Sequence, residues 1–204
     1  MYYLTLKDKE KYLSSGFLTV PFLPDNFVAE KVKLDYYNRL NKGKDANIID
    51  SLMRFIHSNI SYSSDLYIQK QKFQRTAEEV WNSKHTSGCT DTAIVFATLA
   101  RQLKIPTTIL HTAQYEWLER LKKGEDYKQH KGHSFCECFY ENKWILVDPT
   151  AGKIMMDYNP QKIVLDYALD NSNTFIPYFR GIDIGQKMTV KQHNEIMDEE
   201  CLKL

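Results

Sequence analysis

Ser87-Gly88-Cys89-Thr90-Asp91-Thr92-Ala93-Ile94-Val95-Phe96-Ala97-Thr98-Leu99-Ala100-Arg101-Gln102-Leu103-Lys104-Ile105-Pro106 is the stretch on which the fold is read. Ser87-Gly88 breaks the pattern before it. Ala93, Phe96, Ala97, Ala100 and Leu103 then recur at helical spacing in an Ala- and Leu-rich run, and Pro106 halts it. A helix therefore begins at Cys89. A thiol there meets unpaired backbone amides and the positive end of the helix dipole, both of which favour thiolate over thiol.

Downstream, Thr107-Thr108-Ile109-Leu110-His111 reads as a strand, and residues 115–123 as a helix stopped by Gly124. Ser134 to Tyr140, a turn at Glu141-Asn142-Lys143, and Trp144 to Val147 read as a β-hairpin. His133 opens its first strand and Asp148 closes its second. Antiparallel pairing puts those two ends side by side, within hydrogen-bond reach. Strands near Ile154 and Ile163 and a terminal helix over Lys191 to Leu202 are expected beyond Pro149.

Upstream, Thr76-Ala77-Glu78-Glu79 has the form of a capping box opening a short helix through Trp81. Ile49, Leu52, Met53, Ile56 and Ile60 mark an amphipathic helix. Residues 1–45 read as a lead-in with one helix from about Asp25 to Leu40.

Composition narrows the function classes. The chain has 204 residues, 43% of them hydrophobic, enough for one core without disulfides or metals, and a single domain over 1–204 is expected. Lys+Arg of 27 against Asp+Glu of 26 provides no field for nucleic acid or anionic lipid. Charges interrupt the N-terminal apolar residues and no run is long enough for a membrane helix, so the expectation is a cytoplasmic chain without membrane association. Cys89, Cys136, Cys138 and Cys201 are sparse enough to be read as reduced thiols. Oligomeric state has no signal here.

Cys89, His133 and Asp148 have the residue types of a thiol triad: a nucleophile, an imidazole to exchange its proton, and a carboxylate to hold the imidazole's tautomer and charge. The Cys89 amide would provide one oxyanion donor; Tyr62, Gln69, Gln71 and Gln74 are candidates for the second.

Gly88-Cys89 through Pro106 resembles the nucleophile helix of the transglutaminase-like superfamily. Gly132-His133-Ser134-Phe135 resembles its histidine strand, and Trp144-Ile145-Leu146-Val147-Asp148-Pro149-Thr150 its aspartate turn. With the helix at 46–60 and Tyr62, the resemblance spans about residues 46–150. It implies an α+β, papain-like fold in which the nucleophile helix packs on an antiparallel sheet. It also implies acyl transfer at an amide or peptide bond through a thioester on Cys89, with no cofactor. Substrates would be peptides, proteins or small amides, and hydrolysis is favoured over transamidation. Where the family often has Ala-Trp or Val-Trp after the histidine, this chain has Ser134-Phe135, which alters a wall of the pocket. It lacks the paired Cys-x-x-Cys motifs of zinc-bearing glycanase relatives, which disfavours de-N-glycosylation. The alternative from another class is a binding or scaffold domain that keeps the fold without turnover.

Other residues carry plainer readings. Cys136 and Cys138 share one face of a strand and Glu137 the other, so core thiols are favoured over a metal site with His130 and His133. Asp91 suits the first turn of a helix. His57 and His111 are assigned ordinary surface or core roles, Trp81 and Trp144 core roles, and Trp117 is a candidate cleft residue. Lys122, Lys123, Lys128 and Lys131, interrupted by Glu125 and Asp126, read as a solvated loop.

Overall fold

The computed structural model describes residues 9–125, 129–162, 165–166 and 174–204. Along them run α1 (Asp25–Leu40), α2 (Ile48–His57), β1 (Ser61–Tyr62), α3 (Leu66–Lys70), α4 (Ala77–Ser83), β2 (His85–Thr86), α5 (Cys89–Gln102), β3 (Thr107–Gln114), α6 (Tyr115–Lys122), β4 (Gly132–Tyr140), β5 (Lys143–Asp148), β6 (Lys153–Met155), β7 (Leu165–Asp166), β8 (Thr174–Gly181) and α7 (Val190–Leu202). Residues 1–8, Asp126, Lys128 and the strand expected at Ile163 lie outside the described residues.

Local chemistry accounts for several boundaries. Thr76 accepts from the Glu79 amide while Glu79 reaches back, the expected capping box of α4; Thr189 and Gln192 repeat the device at α7. Glu141 and Asn142, with φ of 49° and 63°, form the turn between β4 and β5, where paired left-handed residues match the twist of the flanking strands.

The sequence marks α5 by a period, but its residues Thr90 to Gln102 are all buried. Helices α1, α2 and α4 contact α5, as do β3 and β4, so it has no solvent face. Polar side chains at its C-terminal end bond to the surrounding chain. Arg101 donates to the Thr107 carbonyl at 3.0 Å through Nε and to Thr19 Oγ1 at 2.9 Å, and Gln102 donates to the Leu23 carbonyl at 2.6 Å.

The main sheet has six strands in the order β6-β5-β4-β3-β8-β7, every pair antiparallel. β3 runs three residues beyond its expected end at His111, to Gln114. A bulge between His111 and Thr112 shifts its register against β8. On β4, Cys136 and Cys138 join the core around α5. Phe135 packs on the other face with Leu110 and Leu146. There the buried Glu137 accepts from Arg180 at 2.6 and 2.7 Å and from the Tyr158 hydroxyl. Among the described residues, no helix is long and apolar enough to cross a membrane.

Candidate active site

The turn into α5 is held by groups the sequence reading left in minor roles. Asp91 Oδ2 accepts from the Ser87 amide at 2.7 Å and its hydroxyl at 2.6 Å, and it pairs with Arg75. Asp91 is thus a buried anchor of the loop before Cys89 as well as a first-turn acid. Gln69 Nε2 donates to the carbonyls of Ser63 and Ser87 at 2.6 and 3.2 Å. Gly88 sits at φ 156°, ψ −163°, a backbone conformation that L side chains rarely adopt.

These contacts present Cys89, half-buried, at the helix start, whereas Cys136, Cys138 and Cys201 are buried. Burial pushes the Cys89 thiol up, but the hydrogen bond and charge of His133, with hydrogen bonds from Ser134, outweigh it and hold the thiol at about 7. Burial drives the other three the opposite way: Cys136 well above its ordinary value, Cys138 and Cys201 to about 12.

Val147 pairs with Cys136, so Asp148 extends from β5 toward the end of β4 where His133 lies. His133 Nε2 is 2.9 Å from Asp148 Oδ2. With Nε2 on the carboxylate, Nδ1 is the nitrogen left for the sulfur. Burial would lower His133; hydrogen bonds to Asp148 and Cys89, and both their charges, raise it to about 10. Asp148 Oδ1 accepts from the amides of Thr150 and Ala151 at 2.9 and 3.0 Å, which fixes the carboxylate's rotation. His57 is drawn into this corner: its Nε2 lies 2.6 Å from the Pro149 carbonyl and ties α2 to the same turn.

Cys89 and His133 thus line one cavity and His133 is hydrogen-bonded to Asp148, so three groups separated in sequence are brought together. Ser134 adds a branch, with Oγ 3.0 Å from Thr90 Oγ1 and 3.0 Å from Nδ1 of the buried His111. The cavity over Cys89 measures about 70 Å³ and is lined in part by His133, Ser134, Phe73, His193, Asn194 and Met197. The last three belong to α7, which covers the site. His193 stacks on Phe73 with ring centroids 3.7 Å apart, and His130 Nε2 meets Asp198 Oδ1 at 2.8 Å.

Nothing in the sequence paired α7 with Cys89, since the two are about a hundred residues apart and α7 carries no motif. Trp117 packs in a buried cluster with Met197 and Cys201 and does not line the cavity. Neither do Tyr62, Gln69, Gln71 and Gln74. His130 and His133 face different carboxylates while Cys136 and Cys138 lie in the core, and no group of three metal-ligating side chains converges among the described residues.

A model of the transglutaminase-like superfamily matches residues 34–149. This chain belongs to the transglutaminase-like superfamily. The matched span opens inside α1 and closes just after Asp148, so this transglutaminase-like chain carries β6, β7, β8 and α7 outside it. A solved structure from Cytophaga hutchinsonii, provisionally named a cysteine protease, is similar at 18% identity and a TM-score of 0.48. The similarity covers 86% of this chain and 47% of that one, so the chain spans about half of that structure's length. No curated protein matches this chain.

Proposed function

We propose that this transglutaminase-like chain is a cysteine-dependent acyl-transfer enzyme acting on amide or peptide bonds, with hydrolysis favoured over transamidation. Cys89 is the nucleophile, His133 the acid and base, and Asp148 the carboxylate that orients and charges the imidazole. The observation that carries this reading is that His133 lines the same cavity as Cys89, where its charge lowers the thiol, while its Nε2 meets the buried Asp148 at 2.9 Å. We take residues 1–204 as one domain around a core of about 46–150, because α7 lines the cavity at Cys89.

The thiolate attacks the carbonyl carbon, forming a C–S bond as the carbonyl π pair moves to oxygen. The Cys89 amide at the start of α5 donates to that oxyanion. Collapse breaks the C–N bond, and the His133 imidazolium gives its proton to the departing nitrogen. Neutral His133 then takes a proton from water, whose oxygen attacks the thioester; release of the acid returns the thiolate and the imidazolium.

Iodoacetamide at pH 7 tests the activated thiolate. Cys89 is expected to react at least ~10-fold faster than Cys136, Cys138 and Cys201, read by peptide mass spectrometry, and equal rates would remove the claim. Turnover of a peptide and glutamine-amide library by the native chain, lost in Cys89→Ala, tests the reaction; no difference on any substrate supports the scaffold reading. Adding a primary amine separates acceptors, since amide product in place of acid would reverse the preference for water.

A further inference from the structure

Lys72 stands in the wall of the Cys89 cleft as a cation without an anionic partner. Of the described residues that line that cavity, it alone is a Lys, Arg, Asp or Glu. It is half-buried, so part of its hydration is already lost. Its Nζ lies 5.2 Å from the ring centroid of Phe73, and that ring stacks on His193 at 3.7 Å; both rings line the same cavity. His193 is held at about 4 by burial first and by the charge of Lys72 besides, so the field of the ammonium reaches the α7 wall. A ring face attracts that charge but offers its three N–H donors no lone pair such as a carboxylate has.

The carboxylates around the site are engaged elsewhere. Asp148 Oδ2 meets His133 at 2.9 Å, and Asp198 Oδ1 meets His130 at 2.8 Å. Lys187, in the segment that leads from β8 into α7, is paired with Glu79 at 2.7 Å. Among the described residues Lys72 has no such carboxylate, and its Nζ has no hydrogen-bond acceptor. The backbone beside it is strained. Phe73 has φ of 63°, a left-handed value that a buried aromatic residue rarely takes. The Met188 amide donates to its carbonyl at 2.9 Å while His193 holds its ring, so the segment entering α7 and α7 itself impose the conformation. Strain of this kind persists where the surroundings over-determine it, and it clusters at ligand clamps. In reactive form the triad is thiolate, imidazolium and carboxylate, one net negative charge, which repels an anionic substrate. Lys72 is the lining residue that offsets it.

We propose that Lys72 is a specificity-determining residue of the Cys89 cleft, pairing with a carboxylate that the substrate carries on the residue flanking its scissile bond. This rests on the proposed acyl-transfer reading. The same charge is presented by an acidic side chain and by a chain terminus, and the peptides below separate the two.

Alkylation reads this without turnover. Cys89 in the full chain is labelled at pH 7 with N-iodoacetylglycine and with N-iodoacetylglycinamide, which differ only in carboxylate against carboxamide, and both rates are followed by peptide mass spectrometry. The ratio of acid to amide rates should fall about fivefold in Lys72→Gln and further in Lys72→Glu. Added salt should lower the native ratio toward that of Lys72→Gln. Taking the ratio within each variant cancels any change in the sulfur's own reactivity. Equal ratios in the native chain, Lys72→Gln and Lys72→Glu would overturn the assignment. On turnover, amidated peptides with Glu, Gln or Lys at the flanking position should fall in that order of kcat/KM, through KM. Lys72→Glu should reverse the order, which a mere loss of stability cannot do, and an order that stays in place would overturn the role. A Gln peptide ending at that position as a free acid separates the sources: a gain over its amide assigns the terminus, and a gain for the amidated Glu peptide assigns the side chain. An alkylation ratio that follows Lys72 with no peptide turned over would overturn the reaction and keep the site. Turnover and fast alkylation indifferent to Lys72 would do the reverse, and a Cys89 labelled by neither probe would remove both.

Discussion

His133 faces two partners with opposite demands, a carboxylate on Nε2 and the sulfur on Nδ1. Because the Cys89 thiol is lowered to about 7 and His133 raised to about 10, thiolate and imidazolium coexist between those values. The thiolate is lost as pH falls through the lower value and the imidazolium as pH rises through the upper, so acylation should follow a bell between them. Alkylation of Cys89 across pH should show the lower limb at about 7. His133→Asn should move it toward the ordinary thiol value of about 8.5, and a limb that stays in place would mean that His133 is not its cause. Asp148→Asn removes the charge that sustains the imidazolium and should lower turnover on the order of 10²–10⁴-fold. The three candidate residues were legible because each stands at the end of an element: a helix start after Ser87-Gly88, a strand start, a strand end. Their companions were not. Arg75 meets Asp91, and Ser134 meets His111, through tertiary packing and strand register, neither of which follows from local periodicity.

Elements with a local chemical signature were readable: the Thr76–Glu79 box, the polar turn at 141–142, and α1 from Asp25 to Leu40. β8 was not, for a physical reason. Its interior holds Pro177, which cannot donate to a ladder and argues against a strand, yet Pro177 pairs with Thr112 next to the bulge, where proline is tolerated. β8 also supplies Arg180, whose two hydrogen bonds and charge oppose the burial that pushes the Glu137 carboxyl up. Arg180→Met should therefore leave a buried carboxyl with only the Tyr158 hydroxyl for company and destabilise the chain by about 3–5 kcal/mol in urea unfolding. The double variant Glu137→Met, Arg180→Met should recover much of that loss, since it removes both charges together. A single variant within ~1 kcal/mol of native, or a double variant no better than the single, would show that this pair does not hold β8 to β4.

At the scale of the whole chain, the family match at 34–149 and the resemblance over about 46–150 both stop short of parts that complete the structure. β8 hydrogen-bonds along β3, so without it that strand becomes a sheet edge. Trp117 and Leu118 would lose Ile176, Met197 and Cys201, which bury them. From the other flank, Thr19 accepts from Arg101, and Asp183 accepts from the Leu18 amide at 2.7 Å, so the two flanks meet each other beside the end of α5. A fragment of residues 46–150 keeps Cys89, His133 and Asp148 but none of these supports. It should unfold without a cooperative transition, bind a hydrophobic dye, and show no accelerated alkylation at Cys89. The full chain should unfold in one transition that coincides by circular dichroism and tryptophan fluorescence, because Trp117 lies under α7 while Trp81 and Trp144 report from opposite flanks of α5 and the sheet. Separate transitions for the two probes would divide the chain into independent units. A cooperatively folded fragment with a fast-reacting Cys89 would reduce the flanks to appendages, and with them the claim that α7 is part of the site.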